Sequence, residues 1–173
     1  KDAALNAASG DTIVLDLPYA DEEGVVVPAG VTLVSTGGKD VTTIKGAWHS
    51  ASSRMGDNAI RCVALYANAR LEGFTLTDGG TKSLGGGVFD DNAGALVMAP
   101  SAGGATARIV NCALTRGGAS RGGCNYGGIF ERCVITDCTH GSDGMTYYCK
   151  LNNCLLANVS GSIFARCYGV DNC

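Results

Sequence analysis

Apolar residues return along this chain at long, regular intervals. Aligned on one residue, "RLEGFTLTDG" around Phe74, "RIVNCALTRG" around Cys112, "IFERCVITDC" around Cys133 and "KLNNCLLANV" around Cys154 are copies of one pattern, and "GVDNC" ending at Cys173 is a partial fifth. The anchors are spaced by 38, 21, 21 and 19 residues. Three residues before the anchor stand Leu71, Ile109, Phe130, Leu151 and Val170; two residues after it stand Leu76, Leu114, Ile135 and Leu156. Both columns are expected to be buried. The anchor and the position two later alternate as a strand requires, but the position two earlier holds Glu72, Val110, Glu131, Asn152 and Asp171 and breaks the alternation. A corner is expected there. Directly before the anchor come Gly73, Asn111, Arg132, Asn153 and Asn172, mostly residue types that tolerate the left-handed conformation of a tight bend.

Each copy therefore reads as strand, sharp bend, strand and Gly-rich turn. A unit of 21 residues built from short strands cannot bury its apolar side alone, so successive copies must stack, as they do in solenoids. Stacking in parallel register about 4.8 Å apart makes Phe74, Cys112, Cys133, Cys154 and Cys173 one internal column, with Asn111, Asn153 and Asn172 beside it. The cysteines are expected there as small apolar residues; their parallel Cβ vectors suit disulfides poorly. The expected fold is all-β, with 1–173 as a single domain.

Composition adds exclusions. There are 26 Gly, 3 Pro and 9 Cys among 173 residues, and the formal net charge is −3 with 13 basic residues. Nucleic acid and an anionic membrane surface are disfavoured as partners, and no apolar run reaches the roughly 18 residues of a membrane span. The odd cysteine count implies at least one free thiol or an external partner.

The repeats, together with "ALNAASGDTIVL" (4–15), "YADEEGVVVPAGVTLVSTG" (19–37) and "VTTIKG" (41–46), resemble the right-handed parallel β-helix proteins of the pectin-lyase-like superfamily. The resemblance implies a short capping α-helix over about residues 1–8, with Ala4, Leu5 and Ala8 facing inward and Gly10-Asp11-Thr12 turning into the first strand. The copies rich in "NC" and "GG" are similar to repeat proteins of bacterial surfaces, which implies an extracellular or cell-surface location.

Lyases of that superfamily hold calcium with carboxylates and use Arg or Lys as base; its hydrolases use paired Asp with a nearby His. The corresponding candidates are Asp90 and Asp91 in "FDDN", Arg116 and Arg121 in "LTRGGASRGG", and His140 with Asp143 in "CTHGSDG". Adjacent Asp90 and Asp91 point to opposite sides of an extended strand and need a turn to converge. Asp78, Arg116, Asp137 and Asn158 share a column and read as a ladder of alternating charge; Thr77, Thr115 and Thr136 read as a hydroxyl ladder beside it. Four residues separate Cys133 from Cys138 and Cys149 from Cys154, a poor zinc pattern with only 2 His, so no metal and no cofactor is expected, calcium entering only with a lyase. The turns 117–123, 138–144 and 159–162 are short and leave no cleft walls, whereas the insertion within 78–107, 17 residues longer than its successors, is expected to form a loop or an extra coil.

The repeats and the resemblance together imply a surface, adhesive or fibre-forming β-helix module, joined end to end with itself or a further β-helix segment, with polysaccharide as the ligand class the resemblance suggests. The column Thr75, Ala113, Val134, Leu155 grows more apolar toward Cys173, as such a contact would require. The alternative is a lyase or hydrolase acting on acidic polysaccharide.

Overall fold

A computed structural model describes residues 8, 10–15, 24–82, 94, 96–99, 106–158 and 162–173. Their regular structure is entirely β, and every strand pairing is parallel. One sheet orders β1 (Thr12–Leu15), β3 (Thr32–Ser35), β6 (Arg70–Glu72), β9 (Arg108–Val110), β13 (Ile129–Glu131), β17 (Lys150–Asn152) and β20 (Gly169–Asp171). A second orders β4 (Thr43–Lys45), β7 (Thr75–Thr77), β10 (Ala113–Thr115), β14 (Val134–Thr136) and β18 (Leu155–Ala157). A third orders β2 (Val25–Val27), β5 (Val63–Leu65), β8 (Val97–Met98), β12 (Asn125–Tyr126), β16 (Thr146–Tyr147) and β19 (Phe164–Ala165). A short fourth sheet pairs β11 (Gly118–Arg121) with β15 (Thr139–Asp143). Chain order visits the sheets in turn and each strand pairs with its equivalent one copy on, an arrangement compatible with a parallel β-helix.

The registers are those of the sequence columns. Leu71, Ile109, Phe130, Leu151 and Val170 are consecutive partners, and Leu33 and Ile13 extend the column backwards. Leu76, Leu114, Ile135 and Leu156 likewise pair in series, with Ile44 before them. Of the first column, Leu71, Ile109, Phe130 and Leu151 are completely buried, whereas Val170 at the last strand is 42% exposed. At 25 cal/mol per Å² each buried Leu, Ile or Phe contributes about 2 kcal/mol, and because the columns touch, the contributions belong to neighbouring copies jointly.

The bend before the anchor is left-handed in every copy: Gly73 (φ 79°), Asn111 (49°), Arg132 (54°), Asn153 (51°) and Asn172 (52°). The ladder turns this corner without losing hydrogen bonds. Asn111 N–H donates to Glu131 O, Arg132 N–H to Asn152 O and Asn153 N–H to Asp171 O, while the residue after each anchor donates back to the previous anchor carbonyl, as Val134 does to Cys112 and Leu155 to Cys133. Asn111, Arg132, Asn153 and Asn172 are exposed, so asparagine serves the backbone angle here rather than a buried stack.

Several expectations need correction. The capping helix falls mostly on residues 1–7, outside the described residues, but Ala8 is exposed: its N–H donates to Asp11 Oδ2 at 2.8 Å and its carbonyl accepts from Asp11 N–H, a polar turn entering β1. The column Asp78, Arg116, Asp137, Asn158 is a second left-handed corner (φ 57°, 62°, 55° and 53°), which a reading by charge alone overlooks. Two of the three short turns contain paired strands, β11 and β15. Within the insertion, β8 continues the third sheet, while 83–93, 95 and 100–105 lie outside the described residues.

Candidate functional site

Three places bring chemistry together. The first is the second corner. Residues 46–62 leave the parallel pattern as a strap held by antiparallel bridges Ala47↔Ile60 and Ser50↔Ser53. It lies across the flank at Gly80 and Gly118, where a Cβ would sit 2.1 Å from the Arg54 carbonyl oxygen and 2.4 Å from Arg54 Cβ respectively. Trp48 on this strap is flanked by two guanidinium groups, Arg54 at 4.7 Å and Arg116 at 4.8 Å from the ring centroid. Trp48 Nε1 donates to Arg116 O at 3.0 Å, and Arg54 Nη1 donates to Gly117 O and Asp137 O at 3.0 and 2.8 Å. Arg116 Nε meets Asp78 Oδ1 at 2.7 Å, so one rung of the expected charge ladder exists. Burial, followed by the Arg116 charge, lowers the pKa of Arg54 from its ordinary value. This cluster is a clasp in which every cation is spent on a carbonyl, a carboxylate or the indole.

Of the other catalytic candidates, Arg121 and Asp143 are register partners on β11 and β15 with Nε and Oδ2 3.5 Å apart. His140 is on β15 opposite Ala119. Asp90 and Asp91 lie outside the described residues. Among the described residues no group of three His, Cys, Asp or Glu could hold a metal ion, and no helix is long and apolar enough to cross a membrane. A notch of about 280 Å³ at the foot of the strap is lined by Gly24, Val25, Val26, Ala59, Ile60, Arg61 and Ala64, and Arg61 Nε there donates to Gly94 O at 2.9 Å.

The second place is the sulfur system. Cys112, Cys133 and Cys154 line up inside the first corner, and the exposed Cys173 Sγ accepts from Cys154 N–H at 3.3 Å. Their thiols do more than fill space: each lies near the carbonyl two residues earlier, Cys112 to Val110 at 3.3 Å, Cys133 to Glu131 at 3.5 Å, Cys154 to Asn152 at 3.4 Å and Cys173 to Asp171 at 3.3 Å. The thiol thus supplies a weak donor at a corner carbonyl. Burial pushes the Cys112 thiol up to about 11 and that of Cys62, which donates to Thr77 O, up to about 12. The Cys154 sulfur, followed by burial, raises Cys133. A disulfide joins Cys124 and Cys138, with Cα atoms 5.4 Å apart and both residues buried. The periodic column gave no sign of it, because the two residues belong to different faces of neighbouring copies.

The third place is the edge formed by β18, β19 and β20, each the last strand of its sheet. Leu155, Phe164, Tyr168 and Val170 are 60%, 42%, 55% and 42% exposed. Next to it Tyr126, Tyr147 and Tyr148 pack together, with centroids 5.1 Å apart for the first pair and 5.0 Å for the second, and Arg166 lies 5.8 Å from the Tyr148 ring. Comparison with known protein families, with curated proteins and with solved structures gives no match for this chain.

Proposed function

We propose that this chain is a right-handed parallel β-helix of the pectin-lyase-like kind, capped by a short N-terminal helix, and that it serves as an exported structural module extended end to end by a second copy or a further β-helix segment. The observation carrying this reading is the exposed edge. Val170 is the register equivalent of Leu151, Phe130 and Ile109, all completely buried, yet it is 42% exposed. Among the described residues no strand pairs beyond β18, β19 and β20, and an open edge of this kind offers its N–H and C=O groups to a strand of the same register. A coil of three strands in the same register would bury the apolar columns and extend three sheets at once. The Cys124–Cys138 disulfide supports export, since such bonds persist in oxidising compartments. For the adhesive aspect, the half-buried Tyr126 and Tyr148 beside Arg166, backed by the buried Tyr147, are the rings best placed to stack a sugar.

The lyase or hydrolase alternative gains nothing from Arg116, which is held by Asp78 and Trp48, or from Arg121, which faces Asp143. Sedimentation and negative-stain microscopy over a concentration series test the proposal: rods of one width that lengthen with concentration are expected. A strictly monomeric chain at millimolar concentration, or release of unsaturated products from acidic oligosaccharides with calcium, overturns it.

A further inference from the structure

A second pair of sulfurs lies apart from the anchor column. Cys149 follows left-handed Tyr148 (φ 53°) and Cys167 follows left-handed Arg166 (φ 52°). Because Tyr147 and Ala165 are register partners, the two cysteines hold the same place one copy apart. Stacked equivalent positions generally suit disulfides poorly, yet these two Sγ atoms converge to 3.2 Å, closer than two sulfurs in van der Waals contact and not bonded. Cys149 is completely buried, and Cys167 is partly open to solvent. The surroundings are unusually polar for an interior. Thr146 Oγ1 is 3.5 Å from Cys167 Sγ, and the side chain of Asn125 bears on the Cys149 sulfur. Asn125 is 0% exposed, and neither atom of its amide has a well-formed hydrogen bond. A buried amide left in that state is destabilising and calls for an explanation.

We infer that Cys149 and Cys167 are a second disulfide site, closed by thiol–disulfide exchange with an external disulfide RSSR such as oxidised glutathione. The accessible Cys167, as thiolate, attacks one sulfur of RSSR; the S–S bond breaks, one RS⁻ leaves and takes up a proton from water. Cys149 then loses its proton to water and attacks Cys167 Sγ, expelling the second RS⁻, which is protonated in turn. Two protein thiols lose two protons and two electrons, and RSSR becomes two RSH. The order follows from access, and it agrees with the Cys149 thiol being held protonated by contact with Cys167 and by burial. The Asn125 amide is placed to support the Cys149 thiolate as it forms. The bond would fasten the copy containing β19 and β20 to its predecessor, beside the exposed edge.

The test equilibrates the full chain in glutathione buffers of graded ratio, quenches with acid, alkylates free thiols and digests with trypsin. Cleavage after Arg121, Arg132, Lys150 and Arg166 separates the fragments 122–132, 133–150 and 167–173. The expected product is these three fragments joined through Cys124–Cys138 and Cys149–Cys167, from a chain about 2 Da lighter than the form with one disulfide. Its thermal midpoint is expected to rise by roughly 5 °C on closure. Cys173→Ser should leave the product intact and Cys167→Ser should abolish it. Full alkylation of Cys149 and Cys167 where Cys124–Cys138 stays closed, or attachment of 167–173 through Cys173, overturns the assignment; both are read on the unsubstituted chain, so poor folding of a variant leaves the test decisive.

Discussion

At the residue scale the fold turns on a few backbone angles that ordinary side chains resist. Arg132 holds φ 54° at a corner where the neighbouring copies use Asn, and its side chain is exposed. Since the left-handed region costs most L-residues about 1–2 kcal/mol and Asn less, Arg132→Asn is expected to stabilise the chain by about 0.5 kcal/mol, and Asn153→Val to destabilise it by about 2 kcal/mol. Urea unfolding checks both. The buried thiols give a second expectation. Well below pH 9 the folded and unfolded chains both keep the protons of Cys62 and Cys112; around and above it the unfolded chain ionises first, because the folded thiols are raised to about 12 and about 11. Stability therefore falls as pH rises from 9 through 11 and 12, by about 1.4 kcal/mol per unit for each thiol at the limit. Measured by urea unfolding across that range, the double variant Cys62→Ala, Cys112→Ala should show a flatter decline. An equal slope in the variant would contradict the raised values. The anchor column was legible in the sequence because the positions three before and two after it stay apolar and four of its five residues are Cys. The thiol-to-carbonyl contact was not, since a sequence pattern does not show where the carbonyl before a bend points.

At the element scale the strap 46–62 is the part that the repeat does not encode. Its contacts are with residues far along the chain: Arg54 with Gly117 and Asp137, and Gly56 N–H with Thr81 O. No period announces such pairs, whereas the columns of β9, β13 and β17 announce themselves by repeating every 21 residues. The corner at Asp78, Arg116 and Asp137 shows how chemistry hides geometry: alternating charges suggested a ladder, and the shared property proved to be positive φ. The disulfide was hidden likewise, its partners lying 14 residues apart and in no common column. The strap's seat can be tested. In Gly80→Ala the new methyl meets the Arg54 carbonyl oxygen at 2.1 Å, backbone that cannot rotate away, so the strap must lift. Trp48 fluorescence is expected to shift to the red and stability to fall by about 2 kcal/mol. Unchanged emission would mean that the indole is not held by the strap's contact with the flank.

At the scale of the whole molecule, one column serves both as core and as exposed edge, and this makes stacking quantitative. Leu151 and Val170 are adjacent in register, one completely buried and the other 42% exposed. Leu151→Ala should destabilise the monomer by about 3 kcal/mol, whereas Val170→Ala should change it by less than about 1 kcal/mol. In an assembly the second residue takes the place of the first. Covering Val170 with the next strand completes its burial, worth about 1.5 kcal/mol, and each 1.4 kcal/mol is a factor of ten in an association constant. Val170→Lys, which would place a charge inside the joined column, is therefore expected to raise the concentration needed for rods at least about tenfold while leaving monomer unfolding within about 0.5 kcal/mol of the parent. Lys on the outer column, at Thr75, is the control: it costs the monomer the Thr75 hydrogen bond to Lys39 O, about 1 kcal/mol, and should leave the concentration needed for rods unchanged. If Val170→Lys and Thr75→Lys weaken association equally, contact runs through the sides of the sheets and the edge is no joint; if only the first does, the apolar columns are continuous from one module into the next.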